Sequence, residues 1–229
     1  MRRIYSLDKE NLGFPDPHYA ETDGLIAFGG DLSPERLLSA YSQGIFPWYS
    51  PGDPILWWSP DPRLVLFPEK LHISKSLKKE IRKKKYFITM DQAFNDVIHE
   101  CAQIRKQNGE ETWITEAMTQ AYMKLHQLGF AHSVETWLDN SLVGGLYGIS
   151  LGRSFFGESM FSKKSNTSKI ALVALVQFLK YFDFDIIDCQ VSTNHLISMG
   201  AENIPRYSFL KLLDKSLMHK TLCGRWKYC

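Results

Sequence analysis

The chain has 229 residues, 44% of them hydrophobic and 23% charged, with a formal net charge of +2. This length allows one large domain or a small domain joined to a medium one, and this composition excludes a disordered or fibrous protein. Because no apolar run reaches the roughly 20 residues that cross a bilayer, and because the N-terminus lacks the apolar region of a secretory signal, the sequence predicts a soluble, intracellular protein.

The first predicted helix begins after Ser33 and ends at Gly44. Serine caps a helix N-terminus, the following Pro34 suits the first helical position, and glycine suits the position just past the end. The next stretch, GIFPWYSPGDPILWWSPDPR, residues 44–63, holds five of the ten prolines and three of the six tryptophans. So many prolines predict an ordered loop that is neither a helix nor a central strand. Together with the helix it forms a predicted N-terminal unit that ends near Pro62.

The tryptophans of this loop have two interpretations. Large aromatic side chains either clamp a loop onto the body of a protein or present a flat face on which a nucleobase stacks. The loop alone does not decide between these roles for Trp48, Trp57 and Trp58.

A cluster of cations follows in KSLKKEIRKKK, residues 75–85, where seven of the eleven side chains are positive and one is negative. Ser74 or Ser76 is the predicted cap of a helix here. A solvated helix face is one interpretation of such a run. Contact with the phosphates of a nucleic acid is the other, because cations at this density repel one another unless an anion is nearby.

Two amphipathic helices are predicted after the basic cluster. The first begins at Asp91, and the second begins at Thr115 and ends at Gly129. Their apolar residues recur three and four positions apart, which places them on one helix face. The first stripe is Phe94, Val97, Ile98 and Cys101, and the second is Met118, Ala121, Tyr122 and Leu125. Both stripes are interpreted as core.

From Ala131 onward the hydrophobic pattern changes to that of strands. Three extended runs, turning at residues 139–140 and 152–153, predict an antiparallel meander. A long apolar helix, KIALVALVQFLKYF, capped by Asn166, Thr167 or Ser168, and a buried strand, DIIDCQV, come next. Helices, a meander, a helix and a strand in this order predict an α+β fold.

Three polar side chains stand on these otherwise apolar strands. Asp188 and Gln190 are two residues apart, so a regular strand places both on one face, opposite Ile187 and Cys189. Glu158 is a lone acid in SFFGESMF. A buried carboxylate is costly unless it is paired or used. The three residues therefore form either structural hydrogen bonds or, since no basic partner is near in sequence, a pocket that receives a cation.

The cysteines give little sign of chemistry, because Cys101, Cys189, Cys223 and Cys229 form no C-x-x-C motif. The sequence therefore predicts neither a zinc site nor a disulfide framework. Cys189 is interpreted as a reduced, buried thiol. A nucleophilic role would need an activating base, for which His195 is the nearest histidine, and is disfavoured.

A series of motifs resembles the leucyl/phenylalanyl-tRNA–protein transferase family. In chain order they are GGDLSPERLLSAYSQGIFPWYS, PILWWSPDPR, TWIT with AYMKLH, AHSVETW, LVGGLYGI, FFGESMFS, NTSK and IDCQ. Each motif is weak alone, but together they keep the family's order and spacing from about Phe14 to Arg206, which makes a chance similarity improbable.

The resemblance implies a small N-terminal domain, residues 1–62, and a larger C-terminal domain with a GNAT-like acetyltransferase fold, residues 63–229. It also implies that leucine, phenylalanine and, less efficiently, methionine pass from tRNA to the N-terminal α-amine of proteins that begin with arginine or lysine. The product is an N-degron for the N-end rule pathway of the bacterial cytoplasm. No cofactor, metal or membrane is implied, and a monomer is the default expectation.

The resemblance also assigns residues to the site. Asp188, Gln190 and Glu158 match the residues of catalysis and acceptor positioning. The terminal adenosine of the tRNA stacks on Trp48. Further lining of the aminoacyl-adenosine site and of the pocket for the transferred side chain is implied for Trp113, Tyr122, Leu146, Phe155 and Ile187. The residues expected to grip the tRNA acceptor stem are Lys75, Lys78, Lys79, Arg82, Lys83, Lys84 and Lys85.

Elementary chemistry refines these roles. A neutral amide is a very poor base, so Gln190 is expected to orient the amine rather than to take its proton. Asp188 is expected to fix Gln190, and Glu158 to help hold the cationic acceptor. Trp57 and Trp58 are expected to hold the loop.

Two other functions compete with this one. An acyl-CoA-dependent N-acetyltransferase would use the same fold, but such enzymes carry a glycine-rich turn for the CoA pyrophosphate, and the corresponding ESMFSKKSNTSK has no glycine. A noncatalytic RNA-binding module would use the basic cluster and the tryptophans, but it leaves Glu158, Asp188 and Gln190 unexplained.

Overall fold

A computed structural model describes residues 4–21, 23–107 and 113–228, with the backbone alone at 105–107. The N-terminal part contains β1 (Tyr5–Leu7), β2 (Leu25–Gly29), α1 (Pro34–Ser42), β3 (Phe46–Pro47) and β4 (Leu56–Trp58). The remainder contains β5 (Arg63–Leu66), α2 (Lys75–Arg82), β6 (Phe87–Met90), α3 (Phe94–Gln107), α4 (Glu116–Gln127), β7 (Ala131–Leu138), β8 (Ser141–Leu151), β9 (Ser154–Ser162), α5 (Thr167–Tyr181), β10 (Ile186–Gln190), α6 (Asn194–Ser198), β11 (Glu202–Ile204) and α7 (Arg206–Leu217).

The N-terminal strands form a four-stranded sheet in the order β1-β2-β4-β3. Strand β4 lies between two neighbours, so the prediction that the proline-rich stretch contains no central strand is wrong. The prolines flank β4 at Pro54 and Pro60 and leave all three of its backbone donors in place, and Pro47 lies in the outer strand β3.

The larger sheet has seven strands in the order β11-β5-β10-β9-β8-β7-β6. Strands β7, β8 and β9 form the predicted antiparallel meander. Strands β9 and β10 are parallel, and α5 connects them, because a parallel pair needs a crossover. The predicted α+β fold class is confirmed.

Two apolar cores lie on opposite faces of the seven-stranded sheet. Alternation along β9 sends Phe156 into the core formed with α1, α3, α4 and α7, and sends Phe155 into the core formed with α2 and α5. Helix α5 buries residues on nearly every side, which is why its sequence is apolar almost throughout. None of the helices in the described part of the chain combines the length and apolarity needed to span a bilayer.

Most predicted helix starts are confirmed. The side chains of Ser33, Ser74 and Thr115 each accept a backbone N–H of the first turn of α1, α2 and α4. Helix α3 begins at Phe94, however, and the prediction that it starts at Asp91 is wrong. The Asp91 backbone is left-handed at φ 55°, and its carboxylate accepts from Ser133 and the C-terminal segment instead of capping the helix.

Candidate active site

A cavity of about 650 Å³ opens between the N-terminal part and the seven-stranded sheet. Its volume lies within the range of about 300–1,000 Å³ that suits a small organic ligand. Strands β8, β9 and β10 and helix α5 form one wall, and the chain around β3 forms the other. The predicted site residues that line it are Trp48, Trp113, Leu146, Phe155, Glu158, Ile187 and Gln190.

The three tryptophans of the proline-rich stretch have different environments. Trp48 is 44% exposed and lines the cavity. Trp57 is fully buried and donates its indole N–H to the carbonyl of Gly29 at 3.0 Å. Trp58 donates its indole N–H to the carbonyl of Trp48 at 2.6 Å. Two indoles therefore anchor the segment, and the third is partly exposed at the cavity, with its ring centroid 5.9 Å from that of Trp58.

The inner end of the cavity is apolar. Phe155 from β9 pairs with Ile187 from β10, and Leu146 from β8 belongs to the same apolar cluster. All three line the cavity and are at most 3% exposed. Leu172 and Leu175 from α5 close this end. The surface is shaped for an apolar group of moderate size.

Glu158 lies at the polar side of the cavity and is 8% exposed. Its Oε1 accepts from the Tyr41 hydroxyl at 2.7 Å and from the Gln190 amide at 2.9 Å. Its Oε2 accepts from the Tyr122 hydroxyl at 2.8 Å. Burial is the largest influence and raises the pKa of Glu158 to about 7, because the hydrogen bonds to the ionised form only partly offset lost hydration.

Tyr122 departs from its expected place, because it is fully buried and stands behind Glu158 rather than on the cavity wall. The sequence reasoning missed Tyr41, which α1 brings to the same carboxylate from the N-terminal part. One sign was available, since a buried phenol on an apolar helix face needs a hydrogen-bond partner.

Asp188 does not line the cavity, and it has the basic partner that its sequence neighbourhood lacks. Its carboxylate forms a bidentate pair with Arg63, Nε to Oδ1 at 2.8 Å and Nη2 to Oδ2 at 2.7 Å, and both side chains are fully buried. The guanidinium also lies over the rings of Phe46 and Phe209, at 4.8 and 4.6 Å. The expectation of two acids without a basic partner is therefore wrong for Asp188.

Gln190 does not share a strand face with Asp188, contrary to the expectation from alternation. A register shift separates the two residues, and Gln190 has a left-handed backbone at φ 62°. Its side chain faces the cavity with Ile187 and Cys189. Its backbone N–H donates to Asp188 Oδ1 at 2.9 Å, so the carboxylate holds the backbone turn that aims the amide at Glu158.

The other titratable cavity residues do not form a nucleophile and base pair in the described structure. Cys189 is a free thiol whose pKa burial raises, so it stays protonated. Burial lowers the pKa of His195, which lines the same cavity. Cys101 and Cys223 are also free, and Cys229 lies outside the described residues.

All seven cations of the basic cluster are exposed. Helix α2 buries Leu77 and presents its cations to solvent, and three lysines follow the helix. Glu80 forms ion pairs with Lys83 at 2.7 Å and with Lys85 at 2.5 Å. None of the seven cations lines the cavity.

A family model described as leucyl/phenylalanyl-tRNA protein transferase matches residues 65–214, and one for the N-terminal domain of that family matches residues 30–61. Two curated proteins named leucyl/phenylalanyl-tRNA–protein transferase are close relatives. That of Desulfatibacillum aliphaticivorans is 59% identical over 223 residues, 97% of this chain and 95% of its own. That of Syntrophus aciditrophicus is 58% identical over 213 residues, 93% of this chain and 89% of its own.

Solved structures resemble the chain more weakly. An aminoglycoside acetyltransferase from an uncultured soil metagenomic sample has a TM-score of 0.39 and 13% identity, covering 50% of this chain and 84% of its own. The structure of L-PGS from Bacillus licheniformis has a TM-score of 0.41 and 10% identity, covering 73% of this chain and 53% of its own.

Proposed function

The chain belongs to the leucyl/phenylalanyl-tRNA–protein transferase family, and from this premise we propose the finer details of its reaction. It is an aminoacyltransferase whose substrates are an aminoacyl-tRNA and a protein. It transfers leucine, phenylalanine and, less efficiently, methionine to the N-terminal α-amine of proteins that begin with arginine or lysine.

One observation carries this proposal: a single cavity joins an apolar end, an exposed indole and a buried carboxyl–amide pair. Leu146, Phe155 and Ile187 suit the side chain of leucine, phenylalanine or methionine, which all lack polar groups. Trp48, with Trp113 beside the same cavity, suits stacking of the terminal adenosine. The aminoacyl ester then lies between the two, next to Glu158 and Gln190.

Most of the chemical work is orientation. The ester is already activated and the nucleophile is an amine, so the enzyme needs to align them and to stabilise a tetrahedral oxyanion, without a covalent enzyme intermediate. Gln190 orients the amine, Asp188 fixes Gln190 with the help of Arg63, and Glu158 helps to hold the cationic acceptor.

The basic cluster grips the acceptor stem of the tRNA. Its exposed cations outnumber its one carboxylate seven to one, which supports a surface for phosphates. Phosphate contacts position a nucleic acid and do not read its sequence. The residues in this role are Lys75, Lys78, Lys79, Arg82, Lys83, Lys84 and Lys85.

The wider role follows from the reaction. A protein that gains a leucine or phenylalanine carries an N-degron for the N-end rule pathway, which places the enzyme in the bacterial cytoplasm. We also propose that the protein is a monomer. The family models end at residue 61 and resume at residue 65, which supports a domain boundary near Pro62.

The test is transfer of labelled leucine from leucyl-tRNA to a peptide that begins with arginine. Matched reactions use acetyl-CoA in place of leucyl-tRNA, a peptide with a blocked α-amine, and a peptide that begins with alanine. Transfer from the tRNA alone, to the free amine alone and with preference for arginine, is the expected result. Acetylation of the peptide, or tRNA binding without transfer, would contradict the proposal.

A further inference from the structure

Glu158, Tyr41 and Tyr122 form a closed set of three hydrogen-bonding groups. Each phenol contacts one carboxylate oxygen, and the two phenolic oxygens are themselves 2.5 Å apart. The three groups come from β9, α1 and α4, and both phenols are fully buried. Three contacts between oxygens therefore need hydrogens from these groups themselves, because both phenols are fully buried.

Counting hydrogens distinguishes the two protonation states of Glu158. A phenol has one hydrogen and an ionised carboxylate has none, so the ionised state supplies two hydrogens for three contacts. The protonated state supplies three. Glu158 then donates to Tyr41, Tyr41 donates to Tyr122, and Tyr122 donates back to the carboxyl group. The ring satisfies every contact only when Glu158 holds a proton.

The ionised state is supported in a different way. Both phenols turn their hydrogens to the carboxylate, and Gln190 donates a third hydrogen bond to Oε1. One lone pair of Oε2 then remains for a donor in the cavity, which Glu158 lines. The same residues can therefore hold Glu158 with or without its proton by turning two hydroxyl groups.

Resting on the proposed function, we propose that Glu158 accepts the proton of the acceptor's α-ammonium group and that Tyr41 and Tyr122 are positioning residues that set its protonation state. The proton moves from the ammonium nitrogen to the carboxylate. The neutral amine then attacks the ester carbonyl carbon, a C–N bond forms, and the bond from that carbon to the ribose oxygen breaks. A second N–H proton passes to the ribose oxygen, which leaves an amide, a free hydroxyl and a protonated Glu158 that returns its proton to water.

The surroundings of Glu158 bring its pKa close to that of the α-amine whose proton it accepts. Burial, with a contribution from the Asp188 carboxylate, brings the pKa of Glu158 to about 7, close to the ordinary pKa of about 7.7–8.0 for an α-amine. Proton exchange between groups of similar pKa is fast in both directions. Burial raises the pKa of both phenols, so they remain donors. The titratable and charged groups facing Glu158 or its cavity are Tyr41, Tyr122, Tyr147, Asp188 with its partner Arg63, Cys189 and His195.

The experiment measures kcat for leucine transfer to the arginine peptide between about pH 6 and 9, a window that spans both groups. The enzymes are the wild type, Glu158→Gln, Tyr41→Phe, Tyr122→Phe and, as a matched control, Tyr228→Phe, which loses a hydroxyl bonded to Gln177. An infrared spectrum of the wild type and of Glu158→Gln adds a direct measurement of the carboxyl group that needs no turnover.

Four results are expected. Glu158→Gln lowers kcat by about 100-fold or more at the acid end, and the loss shrinks at high pH, where the amine is already neutral. Tyr41→Phe and Tyr122→Phe each remove a donor to the carboxylate and move the midpoint of the profile up by about one pH unit. Tyr228→Phe keeps the wild-type profile. At about pH 6 the wild type shows the stretch of a protonated carboxyl group that fades by about pH 9 and that Glu158→Gln lacks.

Other results would overturn the inference. If Glu158→Gln keeps the wild-type kcat and pH profile and loses only its preference for arginine over alanine, Glu158 holds the acceptor and takes no proton. A wild-type carboxyl band that does not change between about pH 6 and pH 9 has the same meaning, even if the variants fold poorly, because Glu158 then exchanges no proton in this window. Absence of leucine transfer by the wild type would overturn the proposed function, and this inference with it.

Discussion

Two buried carboxylates beside the cavity have different partners. Asp188 meets the guanidinium of Arg63, a full positive charge in bidentate geometry. Glu158 meets only the neutral donors Tyr41, Tyr122 and Gln190. A neighbouring cation offsets the charge of a buried carboxylate. A buried carboxylate that has only neutral donors is stabilised less and therefore gains a proton more readily. The variable protonation state therefore belongs to Glu158.

The pKa of Glu158 predicts a fall in stability with rising pH. The unfolded carboxyl group loses its proton near its ordinary pKa of 4.5 and the folded one near about 7. Between these values the folded state binds more protons, so the free energy of unfolding decreases as the pH rises, by about 3 kcal/mol in total. Glu158→Gln removes this decrease. Urea unfolding of both proteins at about pH 5 and pH 8, on either side of the window, measures it.

Glu69→Gln is the control for that measurement, since Glu69 forms an exposed ion pair with Lys180. Its pH dependence of stability is expected to equal that of the wild type. An equal pH dependence in Glu158→Gln and the wild type would show that burial does not shift this carboxyl group.

The pair of Arg63 and Asp188 predicts a large effect of removing one partner. Arg63→Met leaves a buried carboxylate without its cation, and the free energy of unfolding is expected to fall by about 3–5 kcal/mol. Adding Asp188→Asn removes the charge and keeps an oxygen that accepts the Gln190 N–H, so most of this loss is regained. Denaturant titration of both variants checks the prediction, and equal losses in the single and double variants would contradict it.

At the scale of elements, α2 shows how a helix can be charged on its surface and still be fixed in place. Leu77 is buried against α5 while the cations point to solvent, so the fold depends little on them. Glu80 forms ion pairs with Lys83 and Lys85, which slightly reduces the positive charge of this surface. Exposed ion pairs contribute little to stability, so these lysines can be replaced without unfolding the protein.

Replacing Lys83, Lys84 and Lys85 by alanine is expected to weaken tRNA binding and to flatten its salt dependence. Each lost phosphate contact lowers the slope of log K against log salt by about 0.7–0.9, so three contacts lower it by about 2–3. The matched control replaces Lys211 and Lys215 on α7. Filter binding at several salt concentrations measures the slopes. An unchanged affinity and slope would identify the cluster as a solvated face.

At the scale of the whole molecule, the C-terminal segment around Trp226 contacts several elements that are separate in the sequence. Trp226 is 3% exposed and stacks on His132 of β7 at 3.7 Å. Its backbone N–H donates to Asp91 Oδ2 at 2.7 Å, and its ring contacts Phe155 and Phe178. Since Phe155 also lines the cavity, the segment supports the wall of the site from behind.

Trp226→Ala is expected to lower the free energy of unfolding by about 3–5 kcal/mol, because it leaves a cavity in the core and removes an aromatic stack. Denaturant titration measures the loss, and Tyr228→Phe in the same segment is expected to unfold like the wild type. A change of less than about 1 kcal/mol for Trp226→Ala would show that the segment is only loosely docked.

The sequence by itself determined the family and part of the secondary structure. The caps at Ser33, Ser74 and Thr115, the meander and the apolar α5 depend on neighbours within a few residues, and local propensity and periodicity record such neighbours directly. Only the tertiary structure decided which buried polar groups meet. Arg63 and Asp188 are 125 positions apart, and Tyr41 and Glu158 are 117 apart. No local pattern encodes such pairs, because the path of the whole chain brings their members together. The left-handed turn at Gln190 depends on one of these pairs, since its backbone N–H donates to Asp188.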